Sequence, residues 1–390
     1  MKHTPRRSRA VTAIATSSLV SLLFASAALA STPEPPSSDP QGPRPPVAEL
    51  PEEAVADPGI GDPTTTEPAT TESATTDPAT TDAPTTTAAP TTAAPTTLAP
   101  TTTAPAVVYP LTGLPVADEA TYAPRPALIV KIDNGVNSHP QTGLNQADIV
   151  FEEIVEGVTR FAAVFNSTES DPVGNIRSGR TQDVQLFASY NDPIFAYSGG
   201  NETVNAALAA TGWTLLTQGN GMFRVDGRGG APYNLFGNTT DFFAQAGDAG
   251  EAVPQFQYGT PTGVPVTSID LSIGGVSVNW AWDAELGLFM RSESGSPHQL
   301  TDGQLSTNSV VVLMVPYGQG PAGGPEAQTV GAGAAVVYSN GLKIEGTWTR
   351  ENPEDPFTLE AGGAPILLAP GRTFVELASA GSSTLADDAA

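Results

Sequence analysis

The stretch Lys131–Phe165, KIDNGVNSHPQTGLNQADIVFEEIVEGVTRFAAVF, decides the fold, together with GNIRSGR at 174–180. Pro126 to Ile132 is a continuous apolar run broken only by Lys131, the pattern of a buried strand. Asp133 to Gly143 is rich in Asn, Gly and Pro and reads as a loop. Ile149–Val155 and Thr159–Phe165 read as two strands joined by a turn at Glu156-Gly157-Val158. Chemically capable side chains crowd the same stretch: Asp133, Asn134, His139, Gln141, Asp148, Glu152, Glu153, Glu156, Arg160, Arg177 and Arg180.

Further along, Ser178 is placed to cap a helix through Tyr190, with Val184, Leu186 and Phe187 inward. Pro193–Tyr197 reads as a strand. Ser198-Gly199-Gly200-Asn201 then leads into a helix over 202–210, and Asn238–Asp241 caps another over 242–249. From Val264 onward helical periodicity is absent. Short strands are expected at 276–282, 286–291, 309–315, 334–338, 342–348, 366–368 and 373–377, with Asn340-Gly341 a strong hairpin signal. The fold class is therefore α+β: a mixed α/β half over 107–253 packed on a β-rich half over 254–378. The small, acidic tail 379–390 is expected to fray.

In the other direction, residues 31–106 are low-complexity Thr, Pro and Ala with scattered acids, as in TTTEPATTESATTDPATTDAPTTTAAP at 64–90. No apolar period exists to offset ordering entropy, so a disordered spacer is expected. Residues 1–30 have the pattern of a secretory signal: a basic start (Lys2, Arg6, Arg7, Arg9), an apolar middle, and small residues in Ala28-Leu29-Ala30 before Ser31. Polar residues interrupt the apolar run, so cleavage is expected rather than a transmembrane segment in the mature chain. The general export route is expected, because Arg6-Arg7 lacks the apolar residues that twin-arginine export would need.

Of 390 residues, 16 are Lys or Arg and 41 Asp or Glu, a formal net charge of -25. Such a chain repels nucleic-acid phosphates and anionic membrane surfaces. It has no cysteine, which excludes disulfides, thiolate metal sites, a Cys nucleophile and a lipid-modified N-terminal Cys.

The run PLTGLP at 110–115, the block NSHPQTGLNQADIVFEEIVEGVTRF at 137–161, GNIRSGR, Ser198-Gly199-Gly200 and Ala231-Pro232-Tyr233-Asn234 resemble the YerB-like family of bacterial lipoproteins, whose function is not established. Gly295-Ser296-Pro297-His298, Gly346-Thr347-Trp348 and Pro370-Gly371-Arg372-Thr373-Phe374 are similar too. The resemblance spans roughly residues 109–378. It implies an envelope location and a layout of N-terminal and C-terminal parts, divided near residue 255. Two positions depart from it: the lipobox cysteine carried by many members is missing, and Tyr233 stands where a His is expected.

Five arginines fall between 160 and 228 in this acidic chain: Arg160, Arg177, Arg180, Arg224 and Arg228. Guanidinium groups suit carboxylates and phosphates. Asn134, Gln141, Arg177 and Arg180 are expected to line one concave anion site, with Ser198 and Gly199 at its rim. The competing reading pairs these arginines internally with Glu152, Glu153, Glu156 or Asp183. Glu152 and Glu153 are the alternative acid/base pair for glycan hydrolysis, against a solvated hairpin face. His139 with Asp133 and Asp148 lacks the paired spacing of a metal site, and no metal or other cofactor is expected. A triad from Ser178 or Ser198 with His139 lacks a nucleophile elbow. Trp280 and Trp282, two apart on one strand face, read as core rather than as a sugar platform. The function expected is non-catalytic binding of an anionic cell-wall component or envelope partner by an exported, extracytoplasmic protein. The alternative is a wall hydrolase using the 148–156 carboxylates.

Overall fold

The computed structural model describes residues 106–390; the signal and spacer expectations lie outside them. The described chain is strand-rich, with three short α-helices: α1 (Gln182–Leu186), α2 (Glu202–Ala209) and α3 (Thr239–Phe243). This mixed architecture fits the α+β expectation.

One sheet runs through both halves. Its first part holds β1 (Leu128–Asp133), β2 (Ile149–Val155) and β3 (Val158–Phe165). β3 lies antiparallel between β1 and β2, while Ile194–Ala196 and then Thr214–Leu216 continue in parallel beyond β1. On the other side β2 pairs in parallel with Thr373–Ser379, which pairs in parallel with Ser309–Val315. Gly331–Ser339, Leu342–Arg350 and Thr358–Ala361 extend the sheet in antiparallel fashion.

Alternation along these strands makes two cores. Leu128, Val130, Ile132, Val150, Phe161, Val310 and Phe374 face one side. They meet a layer built from Val264–Ile273, Val276–Asp283 and Leu288–Glu293, which supplies Ile269, Trp280 and Phe289. Ile129, Phe151, Val164, Val311, Val375 and Trp348 face the other side, where Leu186, Val204 and Leu208 of α1 and α2 pack.

Several local expectations need correction. α1 is not capped by Ser178. Its N-cap is Thr181, with no side-chain cap hydrogen bond; Asp183 Oδ2 in the first turn accepts from the preceding Arg180 N–H at 2.6 Å, and a separate 3-10 turn follows at Ala188–Tyr190. α3 starts earlier and ends earlier than the capping pattern suggested. Ile366–Leu368 forms no strand. Val264–Ile273, which was not anticipated, is the longest strand. The tail does not fray after Ala378: Thr384–Ala389 pairs antiparallel with Val264–Ile273, whose edge it covers.

Candidate functional site

The loops that carry the candidate residues are fastened to the end of β1 by backbone hydrogen bonds. Asp133 N–H donates to Asn175 O at 3.0 Å, and Arg177 N–H to Lys131 O at 2.8 Å. Ser198 N–H donates to Arg177 O at 2.9 Å, and Gly179 N–H to Gly199 O at 3.1 Å. The 177–180 segment is thus held between β1 and the turn preceding α2.

Arg177, Arg180, Ser198 and Gly199 are half-buried there. Arg177 approaches Asp133 Oδ2 at 3.3 Å, an ionic contact whose angle leaves its Nε without a hydrogen bond. Its guanidinium lies 5.5 Å from the Tyr233 ring centroid. Arg180 pairs with the exposed Glu156 at 2.6 Å. The Oγ atoms of Ser178 and Ser198 are 3.5 Å apart.

Arg160, on β3, is the member of this group that sequence reasoning left out of the site. It is 5% exposed and donates from Nη1 to Ser178 O at 3.0 Å. Among the described residues no carboxylate forms an ion pair with it. Burial, followed by the nearby Arg180 charge, pushes its pKa down to about 10. The Nε atoms of Arg160, Arg177 and Arg180 are all buried without a hydrogen-bond partner.

Asn134 and Gln141 are placed differently from these arginines. Both are buried, in a relay beneath His139. Gln141 Nε2 donates to Asp133 O and to Asn134 Oδ1, each at 3.1 Å, and its Oε1 lies 3.0 Å from His298 Nε2. Asn134 Nδ2 donates to Thr159 Oγ1 at 2.9 Å and Glu293 Oε2 at 3.1 Å. Arg291 is an obligate donor and touches His298 Nδ1, so the proton of the neutral ring sits on Nε2 and points at Gln141. Burial pushes the His298 pKa down to about 4, which makes its 3.5 Å approach to Glu293 a polar contact rather than an ion pair at neutral pH. The exposed His139 ring stacks on His298 at 4.7 Å.

Of the hairpin carboxylates, Glu152 and Glu153 are neither solvated nor accessible, whereas Glu156 is exposed. Glu152 and Glu153 are fully buried because β2 is an inner strand with both faces covered. Glu152 accepts from Thr159 Oγ1 at 2.6 Å and from Arg291 Nη2 at 2.8 Å. Glu153 accepts from Lys131 and from Gln182 Nε2 at 2.6 Å, and Lys131 also pairs with Asp183 at 2.8 Å. Desolvation pushes the Glu153 pKa up to about 7. Glu152 also faces Glu376 across the β2 pairing. Glu376 accepts from Trp280 Nε1 at 2.9 Å, its other oxygen has no partner, and burial beside Glu152 holds its pKa well above the usual carboxylate range. Trp280 is thus core, fully buried. Among the described residues no group of three or more His, Cys, Asp or Glu could hold a metal ion, and no helix is long and apolar enough to cross a membrane.

Two family models, both of unknown function, match most of the described chain. Residues 111–252 match the model described as "Protein of unknown function (DUF3048) N-terminal domain", and residues 268–375 match its C-terminal counterpart. The chain belongs to this family. It is similar to "Putative lipoprotein YerB" of Bacillus subtilis, 41% identical over 90 residues, which are 23% of this chain and 26% of the relative. The matched stretch is thus about a quarter of that relative's length. The crystal structure of the YerB protein from Bacillus subtilis superposes with a TM-score of 0.63 at 21% identity, covering 72% of this chain and 99% of that one. That likeness establishes a shared fold.

Proposed function

We propose that the protein is an exported envelope protein that binds the anionic group of a cell-wall component or envelope partner, without catalysis, at Arg160, Arg177 and Arg180. The observation that carries this is the gathering of three mutually close arginines beside Ser178, of which Arg160 forms no ion pair among the described residues. Asp133 and Glu156 engage Arg177 and Arg180, and Arg160 keeps only a carbonyl. Like charges crowded in a protein of net charge -25 favour a bound anion. Half-burial of the junction strengthens each charge-assisted hydrogen bond to such a ligand. Ser198 and Gly199 border it, whereas Asn134 and Gln141 lie in the separate buried relay beneath His139. Similarity to a relative named as a lipoprotein supports the envelope location.

Hydrolysis by the hairpin carboxylates is disfavoured. A glycosidase needs its two carboxyls open to the sugar. Glu152 and Glu153 are instead committed to Arg291 and Lys131 inside the core.

The test is a thermal-shift titration of the full chain with phosphate, citrate and wall-derived acids. Stabilisation that Arg177→Lys or Arg180→Lys weakens supports binding through the guanidinium fork. Lysis of wall material in a zymogram, abolished by Glu152→Gln or Glu153→Gln, would overturn it in favour of the hydrolase.

A further inference from the structure

A cleft lies away from the arginine junction, beyond the opposite end of β3. It encloses about 450 Å³ between the 116–125 segment and the 166–169 loop. We propose that this cleft is a binding site for a neutral saccharide, with Tyr109 and Tyr122 as its stacking platform.

Both tyrosines are half-buried and line the cleft. Their rings meet edge to face, 5.5 Å between centroids and 89° between planes. An edge-to-face pair leaves broad ring faces outside the pair, which suits the C–H face of a pyranose. The opposite wall is rigid. Arg125 Nη1 pairs with Glu169 Oε1 at 2.6 Å, its Nη2 donates to Thr168 O at 2.9 Å, and its guanidinium rests 4.0 Å from the Phe243 ring centroid. Beneath it, buried Asp148 accepts from Asn166 N–H at 2.6 Å and Ser167 N–H at 2.7 Å. The loop is therefore in place before any ligand arrives, which lowers the ordering cost of binding.

Charge selects the ligand class. Asp118, Glu169 and Arg125 line the cleft, and the Arg125–Glu169 pair leaves Asp118 as its surplus charge. An anionic ligand is repelled here, unlike at the arginine junction. Carboxylate oxygens accept from sugar hydroxyls, and aromatic faces meet the less polar side of the ring. A neutral saccharide satisfies both, and this cleft together with the arginine junction would let one molecule hold a glycan and a separate anionic group.

The experiment is calorimetric titration of the full chain with chitotetraose and with maltotetraose, each against wild type, Tyr122→Ala and Tyr122→Phe. Saturable binding of at least one tetrasaccharide is expected. Tyr122→Ala should weaken it roughly tenfold, and Tyr122→Phe should change it by less than about threefold, because stacking needs the ring. Failure of both tetrasaccharides to bind would overturn the proposal. So would binding indifferent to Tyr122→Ala, binding lost equally in Tyr122→Phe, or occupation of the cleft by a Thr/Pro/Ala peptide of sequence 94–105 instead. Phosphate titrations of the same variants should be unchanged, which separates this cleft from the arginine junction.

Discussion

At the scale of single residues, charges buried in apolar strands organise the middle of the molecule. Glu152 and Glu376 lie opposite each other in neighbouring strands with Arg291 beside them, and burial next to Glu152 raises the Glu376 pKa, which favours its neutral form. Glu376→Gln replaces a neutral acid by its isostere and should cost less than about 1 kcal/mol in urea unfolding. Arg291→Met strands Glu152 and should cost about 3–5 kcal/mol. Near-equal losses would contradict this assignment of protons. Glu153 gives a pH signature. Its pKa rises from 4.5 to about 7 on folding, so the folded chain binds more protons between those values. Its contribution to stability is complete below about 4.5 and falls as pH rises through 7. His298 opposes it over part of that window, since its pKa falls from 6.5 to about 4 and its contribution is lost as the pH drops. Glu153→Gln should therefore leave a stability profile that declines less than wild type between pH 5 and 7, read from urea midpoints. These charges were half legible in the sequence. Lys131 in LIVKID and Glu376 in TFVELAS each interrupt an apolar run, the pattern of a charge carried in a buried strand. Their partners were not legible, because Glu153 is 22 residues from Lys131 and Glu152 is 139 from Arg291.

Among the secondary-structure elements, turn chemistry read well and edge pairing did not. Asn340-Gly341 joins Gly331–Ser339 to Leu342–Arg350, with φ of 52° and 71° at the two residues. Those values are the ones that a two-residue hairpin demands. A Cβ on Gly341 would come within 2.6 Å of Trp282 Nε1 as well as straining the backbone. Gly341→Ala should lower the urea midpoint by an amount equivalent to about 1–3 kcal/mol, and an unchanged midpoint would contradict the contact. The tail reads as polar and small, so its strand was invisible until Val264–Ile273 offered an unpaired edge. Likewise α1 is one turn and a half long, too short for periodicity to show, and its N-cap Thr181 makes no side-chain cap hydrogen bond for a capping pattern to reveal. Sequence reasoning gathered Arg177 and Arg180 with Ser198 because all three fall at loop–element junctions. It passed over Arg160 because a strand residue gives no such signal.

Taken whole, the molecule is divided in sequence and joined in space. The change from mixed to strand-only pattern near residue 255 falls between the two family-model matches. Yet β2 from the first half pairs with Thr373–Ser379 from the second, and Arg291 reaches across to Glu152. Fragments 107–253 and 254–390, expressed alone, should each lack a cooperative thermal transition and recover one when mixed; independent cooperative unfolding of either would contradict the shared sheet. The same joining places the arginine junction at one end of β1 and β3, where loops of the first half are stapled around it. The most direct measurement is calorimetric titration of phosphate into wild type and Arg160→Lys, with urea unfolding of both. The account predicts saturable binding that the lysine variant loses by about tenfold while the unfolding midpoint changes little. No saturable binding to wild type, or an affinity unchanged in a variant that has lost stability, would mark the three arginines as structural and contradict the account.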